Sequence, residues 1–338
     1  MFDVRRREFI TLLGGAATSA VSWPLAGRAQ QPARVPRIGY LVTGSLDSPE
    51  YRRIIDAFRQ GLSQLGYREG QNIAIEFREA HSQTGRFAPV AAELAGRDVD
   101  VIIAPSTPAA RAARQATTTI PIVAFALGDA VADGLVSSLA RPGGNVTGLT
   151  FLAPELTAKR LQVLKDVVPT LSRVAALWDP GAFGERTTGE MLKTSEAAAT
   201  ALGLQLQMIA IRSHEELDGA FSPMIGDRIE AVFVFPSPVF FSAQQRIAAL
   251  ALRHRLPSMF VSSEFVHFGG LLAYGASIAD LARRGTIYVD KILKGAKPAE
   301  LPVEQPTRFE LAINLRTAKT LGIVVSANIQ QLADEVIE

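Results

Sequence analysis

The sequence predicts an α/β protein built of two doubly wound, Rossmann-like lobes. Three observations carry this. Apolar runs of strand length alternate with amphipathic helical stretches from residue 35 onward. The same strand–helix order starts again near residue 155, and no Gly/Ser-rich linker separates the halves, so the join near 148–152 is short and suits a hinge. At 338 residues, 48% hydrophobic and 20% charged, the chain is long enough for two cores and too apolar for disorder.

In the first half, residues 37–42 read as a strand running into the polar loop Thr43-Gly44-Ser45. The helix 51–65 carries Ile54, Ile55, Phe58, Leu62 and Leu65 on one face and stops at Gly66. Residues 72–80 alternate Ile73, Ile75 and Phe77 with polar side chains, the pattern of a sheet edge, and 86–96 form the next helix. The continuous apolar run 101–104 is a strand covered on both faces, ending at Ser106-Thr107. Pro108 suits the start of the following helix, with Thr107 as its N-cap, so exposed amides there would favour an anion. A second apolar run ends at Gly128-Asp129; a short helix over 134–139 and a strand over 146–150 follow.

In the second half, helices are expected at 155–167, 185–202, 215–225 and 242–254, and strands at 173–178, 204–211, 231–235, 258–261 and 271–275. An amphipathic helix covers 278–294. The tail, with Pro298, Pro302 and Pro306, reads as extended crossings rather than another βαβ unit, followed by the run 309–314 and a helix at 317–321.

Residues 1–29 have the order of a secretory signal: Arg5-Arg6-Arg7 with Phe9, an uncharged stretch from Leu12 to Ala26, then Gly27-Arg28-Ala29. The arginines with Phe9 resemble the twin-arginine export motif, with cleavage expected after Ala29 and a periplasmic mature protein. The net charge of +2 sits in this segment. Without it the body holds 31 basic and 31 acidic residues, which gives no support for a nucleic-acid partner. With no cysteine in the chain, disulfides, thiolate metal sites, cysteine nucleophiles and a lipid anchor on cysteine are excluded.

Dinucleotide, P-loop, nucleophile-elbow and zincin motifs are all missing. His81, His214, His254 and His267 are scattered without metal spacing, so solvated or capping histidines are expected, with neither metal nor cofactor. What remains are polar and aromatic residues at the carboxyl ends of strands, where open α/β sheets bind ligands. The first half offers Ser45, Ser106-Thr107 and Gly128-Asp129; the second offers Asp179 with Phe183, Phe235-Pro236-Ser237 with Phe240, and Ser262-Ser263-Glu264. Hydroxyls and helix amides suit a carboxylate, acids suit an amine, and rings suit an apolar body. Helix capping competes for Ser106 and Thr107, core packing for the phenylalanines, and a turn for Asp129. Asp179 and Glu264 would serve acid–base chemistry if the lobes brought them together.

The runs RREFITLLGGAA, GLSQLGYREGQNIAIEFR, TTTIPIVAF, GLVSSLARPGGNVTGLTF, AKRLQVLKD, ALGLQLQ, EFVHFGGLLAYG, LPVEQPTRFELAINLRTAKTLG and ADEVIE span essentially the whole chain. They resemble the ABC-transporter substrate-binding proteins of the TrpX/YtlA-like group. Arg141-Pro142-Gly143-Gly144-Asn145-Val146-Thr147-Gly148 is the most specific of them. The resemblance implies a type I periplasmic binding protein fold whose lobes are joined by three crossings. These would lie near 150–152, 269–271 and 301–307, with hinge residues Thr150, Phe151, Gly270 and Leu271. Lobe 1 would comprise 36–150 plus 271–300, taking back the strand at Leu271 and the helix after it; lobe 2 would comprise 151–270 plus 301–338. Phe151 and Tyr274 join the candidate ligand contacts. Some members bind aromatic amino acids. The chain departs from the common pattern at Asp179-Pro180, where many relatives read Asn-Pro, and at Phe235-Pro236-Ser237-Pro238.

The expected function is an exported solute receptor that closes on a small polar or amphipathic ligand, amino acid-like for preference. It would act as a monomer and present that ligand to an ABC permease in the inner membrane. The alternatives are a ligand-sensing domain for a signalling partner and a carboxylate enzyme using Asp179 and Glu264. A cysteine racemase is ruled out by composition. A sugar-sensing repressor would need a helix-turn-helix where the signal segment stands.

Overall fold

The computed structural model describes residues 34–151, 156–224 and 226–338, of which Val35–Glu338 form one compact unit. The signal segment expected at 1–29 lies outside the described residues. So do Leu152 of the first crossing, the helix start expected at 155, and the helix end expected at 225.

The first sheet has five parallel strands: β1 (Arg37–Val42), β2 (Ala74–Glu79), β3 (Val101–Ile103), β4 (Ile122–Leu127) and β5 (Val146–Thr150), in the order β2-β1-β3-β4-β5. β3 is buried throughout, as its unbroken apolar run requires, whereas every residue of β2 is half-buried at the edge. Helices α1 (Pro49–Gln64), α2 (Phe87–Ala95) and α3 (Thr107–Ala116) connect these strands. α1 buries Tyr51, Ile54, Ile55, Phe58 and Leu62, one stripe at helical spacing. The helix expected over 134–139 is instead a set of turns, because Gly134 takes a left-handed φ of 69° and Asp129 draws its carboxylate onto the amides of Val131 and Ala132.

The second sheet follows with α4 (Leu156–Val167), β6 (Arg173–Trp178), α5 (Glu185–Ala201), β7 (Gln205–Ala210), α6 (Glu216–Phe221) and β8 (Ala231–Val234). Then come α7 (Pro238–Ser242), α8 (Gln244–Arg253), β9 (Ser258–Phe260), α9 (Glu264–His267) and β10 (Leu272–Gly275). The single helix expected at 242–254 is thus two: Ser237 caps α7, Pro238 opens it, and α8 starts afresh at Gln244.

β10 pairs with β9 in this second sheet, so the strand at Leu271 does not return to the first lobe. Only the helix after it, α10 (Ile278–Leu293), goes back, packing on α1 and β4. The second crossing therefore lies at Ala276-Ser277 rather than at Gly270-Leu271, whose amides bond to Phe265 and Ser258 inside the second lobe. The third segment runs beside β5, where Thr150 donates to the Glu304 carbonyl at 2.8 Å, and leads to β11 (Glu310–Asn314). After α11 (Leu315–Leu321) and α12 (Ala327–Leu332), β12 (Glu335–Ile337) pairs parallel with β11. The tail is accordingly a βαβ unit, and the seven-stranded order is β12-β11-β10-β9-β8-β6-β7, antiparallel only between β10 and β11.

Gly148 in β5 has a φ of 134°, and a Cβ there would overlap the Ala124 carbonyl, beside the register shift between β4 and β5. Gly148→Ala is therefore expected to cost at least about 2 kcal/mol, through strain and displaced backbone. Gly144→Ala, where the added methyl meets nothing within 4 Å, should be near neutral. Urea midpoints of the two variants check this; equal midpoints would contradict it.

Candidate functional site

Both sheets turn the carboxyl ends of their strands toward a common cavity of about 80 Å³. From the first lobe, Tyr40 of β1 and Phe125 of β4 reach it from within the sheet, and Thr43 from the loop after β1. Tyr51 lines it from the first turn of α1, and its hydroxyl accepts from Thr43 Oγ1 at 3.1 Å. Burial pushes the Tyr51 hydroxyl up to about 12, so it remains a neutral phenol throughout the physiological range. Ser106, rather than Thr107, is the N-cap of α3: its extended backbone lets its Oγ accept from the Ala109 amide at 3.4 Å. Thr107 begins the helix and its Oγ1 accepts from the Gly128 amide at 2.9 Å, tying the end of β4 to α3. Both residues line the cavity.

From the second lobe come Phe183, Ser237, Phe241, Ser262 and Phe265. The rings form a connected series across the cleft: Tyr51 meets Phe241 edge to face at 5.4 Å, Phe241 meets Phe265 at 6.2 Å, and Phe265 stacks on Phe260 at 4.6 Å. Phe183 lies against Gly128 so closely that a Cβ at that position would stand 2.6 Å from its ring. Glycine at the end of β4 is what admits the opposite lobe's phenylalanine.

Asp179 ends β6 but does not line the cavity. It is 3% exposed; its Oδ1 accepts from the Gly181 amide at 2.8 Å and its Oδ2 from the Ser237 hydroxyl at 2.5 Å. Burial raises its pKa, with the Ser237 bond opposing. Glu264 likewise sits behind the wall, accepting from the Ser262 hydroxyl and from the Ala279 amide at 3.3 Å. Burial pushes it up to about 7 against those amides. Each carboxylate has its own partners, and no bond joins the two, so the structure does not assemble the acid–base pair.

The other sequence candidates fall into two groups. Phe151 lines the cavity beside Thr150. Ser45 instead donates to Glu79 at 3.1 Å, Phe240 and Phe235 are core, and Tyr274 packs toward Phe309, none of them reaching the cavity. Asp129, with Thr150, faces a separate hollow of about 270 Å³. Sequence reasoning missed Tyr40, Thr43, Tyr51, Phe125, Phe241 and Phe265. A usable signal existed for three of these: Tyr51, Phe241 and Phe265 are aromatic residues in the first turns of helices that follow strand ends. His214 takes structural partners, the Val239 carbonyl and the Ser242 hydroxyl, both at 2.9 Å, and His267 Nε2 lies 3.2 Å from Glu335. Among the described residues no group of three His, Cys, Asp or Glu could hold a metal ion.

The two lobes are latched by a carboxylate. Asp133, in the turns after β4, accepts from the Gly184 amide at 2.9 Å and from Thr187 Oγ1 at 2.7 Å, at the N-terminus of α5. A negative charge there complements the helix dipole and uses an otherwise orphaned amide.

Two facing sheets that wall one cavity with aromatic rings and hydroxyls define a two-lobed ligand receptor of the type I periplasmic binding protein fold. The chain belongs to the family described as ABC transporter substrate binding protein, whose model matches residues 41–337. It is 26% identical over 279 residues to a tyrosine-binding protein of Clostridioides difficile, covering 82% of this chain and 79% of that one. It superposes at a TM-score of 0.81, with 25% identity and coverage of 89% and 99%, on a Streptococcus pneumoniae domain in complex with L-Trp. A ligand-free, open substrate binding protein from Clostridium difficile, also 25% identical and covered at 90% and 99%, gives 0.63. In this structure Asp133 and Phe183 make contacts across the cleft, which hold the lobes closed on each other.

Asp133→Ala should weaken that closure by about 1 kcal/mol, the worth of a helix cap. Hydrogen exchange should then quicken at 184–188 while β1 and β3 stay protected; unchanged exchange there would refute the latch. Glu264 generates a pH dependence. The folded state keeps the proton up to about pH 7, whereas an ordinary glutamate loses it near 4.5. The folded state thus binds more protons in that window, and stability falls as pH rises through it, by up to about 3 kcal/mol. Glu264→Gln should flatten this slope in melting temperature between pH 4.5 and 7; a slope equal to the parent's would contradict it.

Proposed function

We propose that this protein is the exported receptor of an ABC importer, holding a small amphipathic ligand with a flat apolar body between its lobes and presenting it to an inner-membrane permease. The observation that carries the reading is the wall of the cavity: Tyr40, Tyr51 and Phe125 from one lobe face Phe183, Phe241 and Phe265 from the other. Such a cleft is complete only when closed, so a ligand that fills it stabilises the closed arrangement by its differential affinity. The family membership supports the transport role, and the tyrosine and tryptophan of the two relatives belong to the class of molecule that aromatic walls suit. Among the described residues no helix is long and apolar enough to cross a membrane. Residues 1–29, with their twin-arginine pattern, are the reason to place the mature protein in the periplasm, where it acts as a monomer without a cofactor.

A thermal-shift screen of the chain from Gln30 onward against aromatic amino acids, aromatic acids, aliphatic amino acids, sugars and purines tests this. Aromatic compounds should raise the melting temperature in a concentration-dependent way and be recovered unchanged. Stabilisation by sugars alone, or conversion of the bound compound, would overturn the reading.

A further inference from the structure

Two tyrosines line the cavity, and their hydroxyls are in different states. Tyr51 accepts from Thr43 Oγ1 at 3.1 Å. Tyr40 is 2% exposed, yet its hydroxyl has no hydrogen-bond partner among the described residues. Its ring is boxed by other rings: Phe58 of α1 stands edge-on at 5.2 Å, Phe77 of β2 lies at 5.4 Å and Phe125 of β4 at 6.5 Å. None of these side chains carries an oxygen or a nitrogen. The backbone beneath is paired on both sides, Tyr40 with Phe77 in β2 and with Ile103 in β3, which holds the ring where it is. Burial keeps the hydroxyl well above the ordinary tyrosine range, so it is a neutral phenol. A buried tyrosine hydroxyl ordinarily has a partner, and the space that this one borders is the cavity.

We infer that Tyr40 sets the ring specificity of the receptor: its hydroxyl pairs with a hydroxyl carried on the ligand's ring, selecting a phenolic ligand over its unsubstituted counterpart. This rests on the proposed function and deepens it. A plain ring seated in the closed cleft would exclude water from the Tyr40 hydroxyl and give it nothing in return, whereas a phenol both donates and accepts, as Tyr40 does. Sites that hydrogen-bond a ligand hydroxyl discriminate against the analogue lacking it, because their own polar group is then left unpaired.

Titration calorimetry on the chain from Gln30 onward and on Tyr40→Phe tests this with three pairs: L-tyrosine and L-phenylalanine, 4-hydroxyphenylacetate and phenylacetate, 4-hydroxybenzoate and benzoate. In at least one pair the hydroxylated compound should bind the parent tenfold or more tighter, and in Tyr40→Phe that ratio should fall below threefold. The ligand-free variant should melt no lower than the parent, since it loses a buried hydroxyl that had no partner. A ratio above threefold in Tyr40→Phe, a ratio below tenfold for every pair in the parent, or a lower melting temperature of the ligand-free variant overturns the inference and leaves the aromatic receptor standing. Binding of L-tryptophan with none of the six does the same. If L-tryptophan is also silent, the aromatic reading itself fails and the inference with it.

Discussion

A parallel strand covered on both faces has no place for a polar side chain except at its ends, and the site in this protein follows from that constraint. Val101-Ile102-Ile103 are wholly buried, so the first hydroxyls the chain can present after β3 are Ser106 and Thr107. The same holds for β8, where Ala231–Val234 are buried and Ser237 is the next polar residue. Two sheets built this way and set with their carboxyl ends facing produce a cleft whose floor is apolar and whose rim carries hydroxyls.

The acids show how thoroughly that environment sorts charge. Asp179 and Glu264 stand at strand ends, where a ligand would be expected to meet them, yet both are withdrawn behind serines that line the cavity in their place. A carboxylate buried there must be given hydrogen-bond donors, and Ser237, Ser262 and the amides of Gly181 and Ala279 are the donors at hand. The acids thereby orient the serines, and among the described residues no formally charged side chain lines the cavity.

Closure uses the opposite logic. Asp133 is not in the cavity, but its carboxylate seats the N-terminus of α5 on the first lobe, next to the point where Phe183 lies on Gly128. An electrostatic contact at the rim and an aromatic contact within thus act on the same short segment, Phe183-Gly184. A receptor that must open again is well served by contacts of this modest size, because a few kcal/mol separate its two states.

The alternation of apolar runs and amphipathic helices determined the α/β class, the two lobes and most strand positions, since each depends on which face of a local element meets a core. Local pattern also placed Ser106, Thr107, Phe183 and Ser237 near strand ends. It could not say that Phe241 rather than Phe240 turns into the cleft, that Tyr51 bridges to the other lobe, or that Asp179 faces inward. Those outcomes depend on side-chain direction in three dimensions and on which neighbour satisfies a buried oxygen. Nor could it give the strand at Leu272 to the second sheet while sending the following helix to the first. Strand partners are chosen by pairing between β9, β10 and β11, contacts between segments far apart in the chain, and only the tertiary structure decides among them.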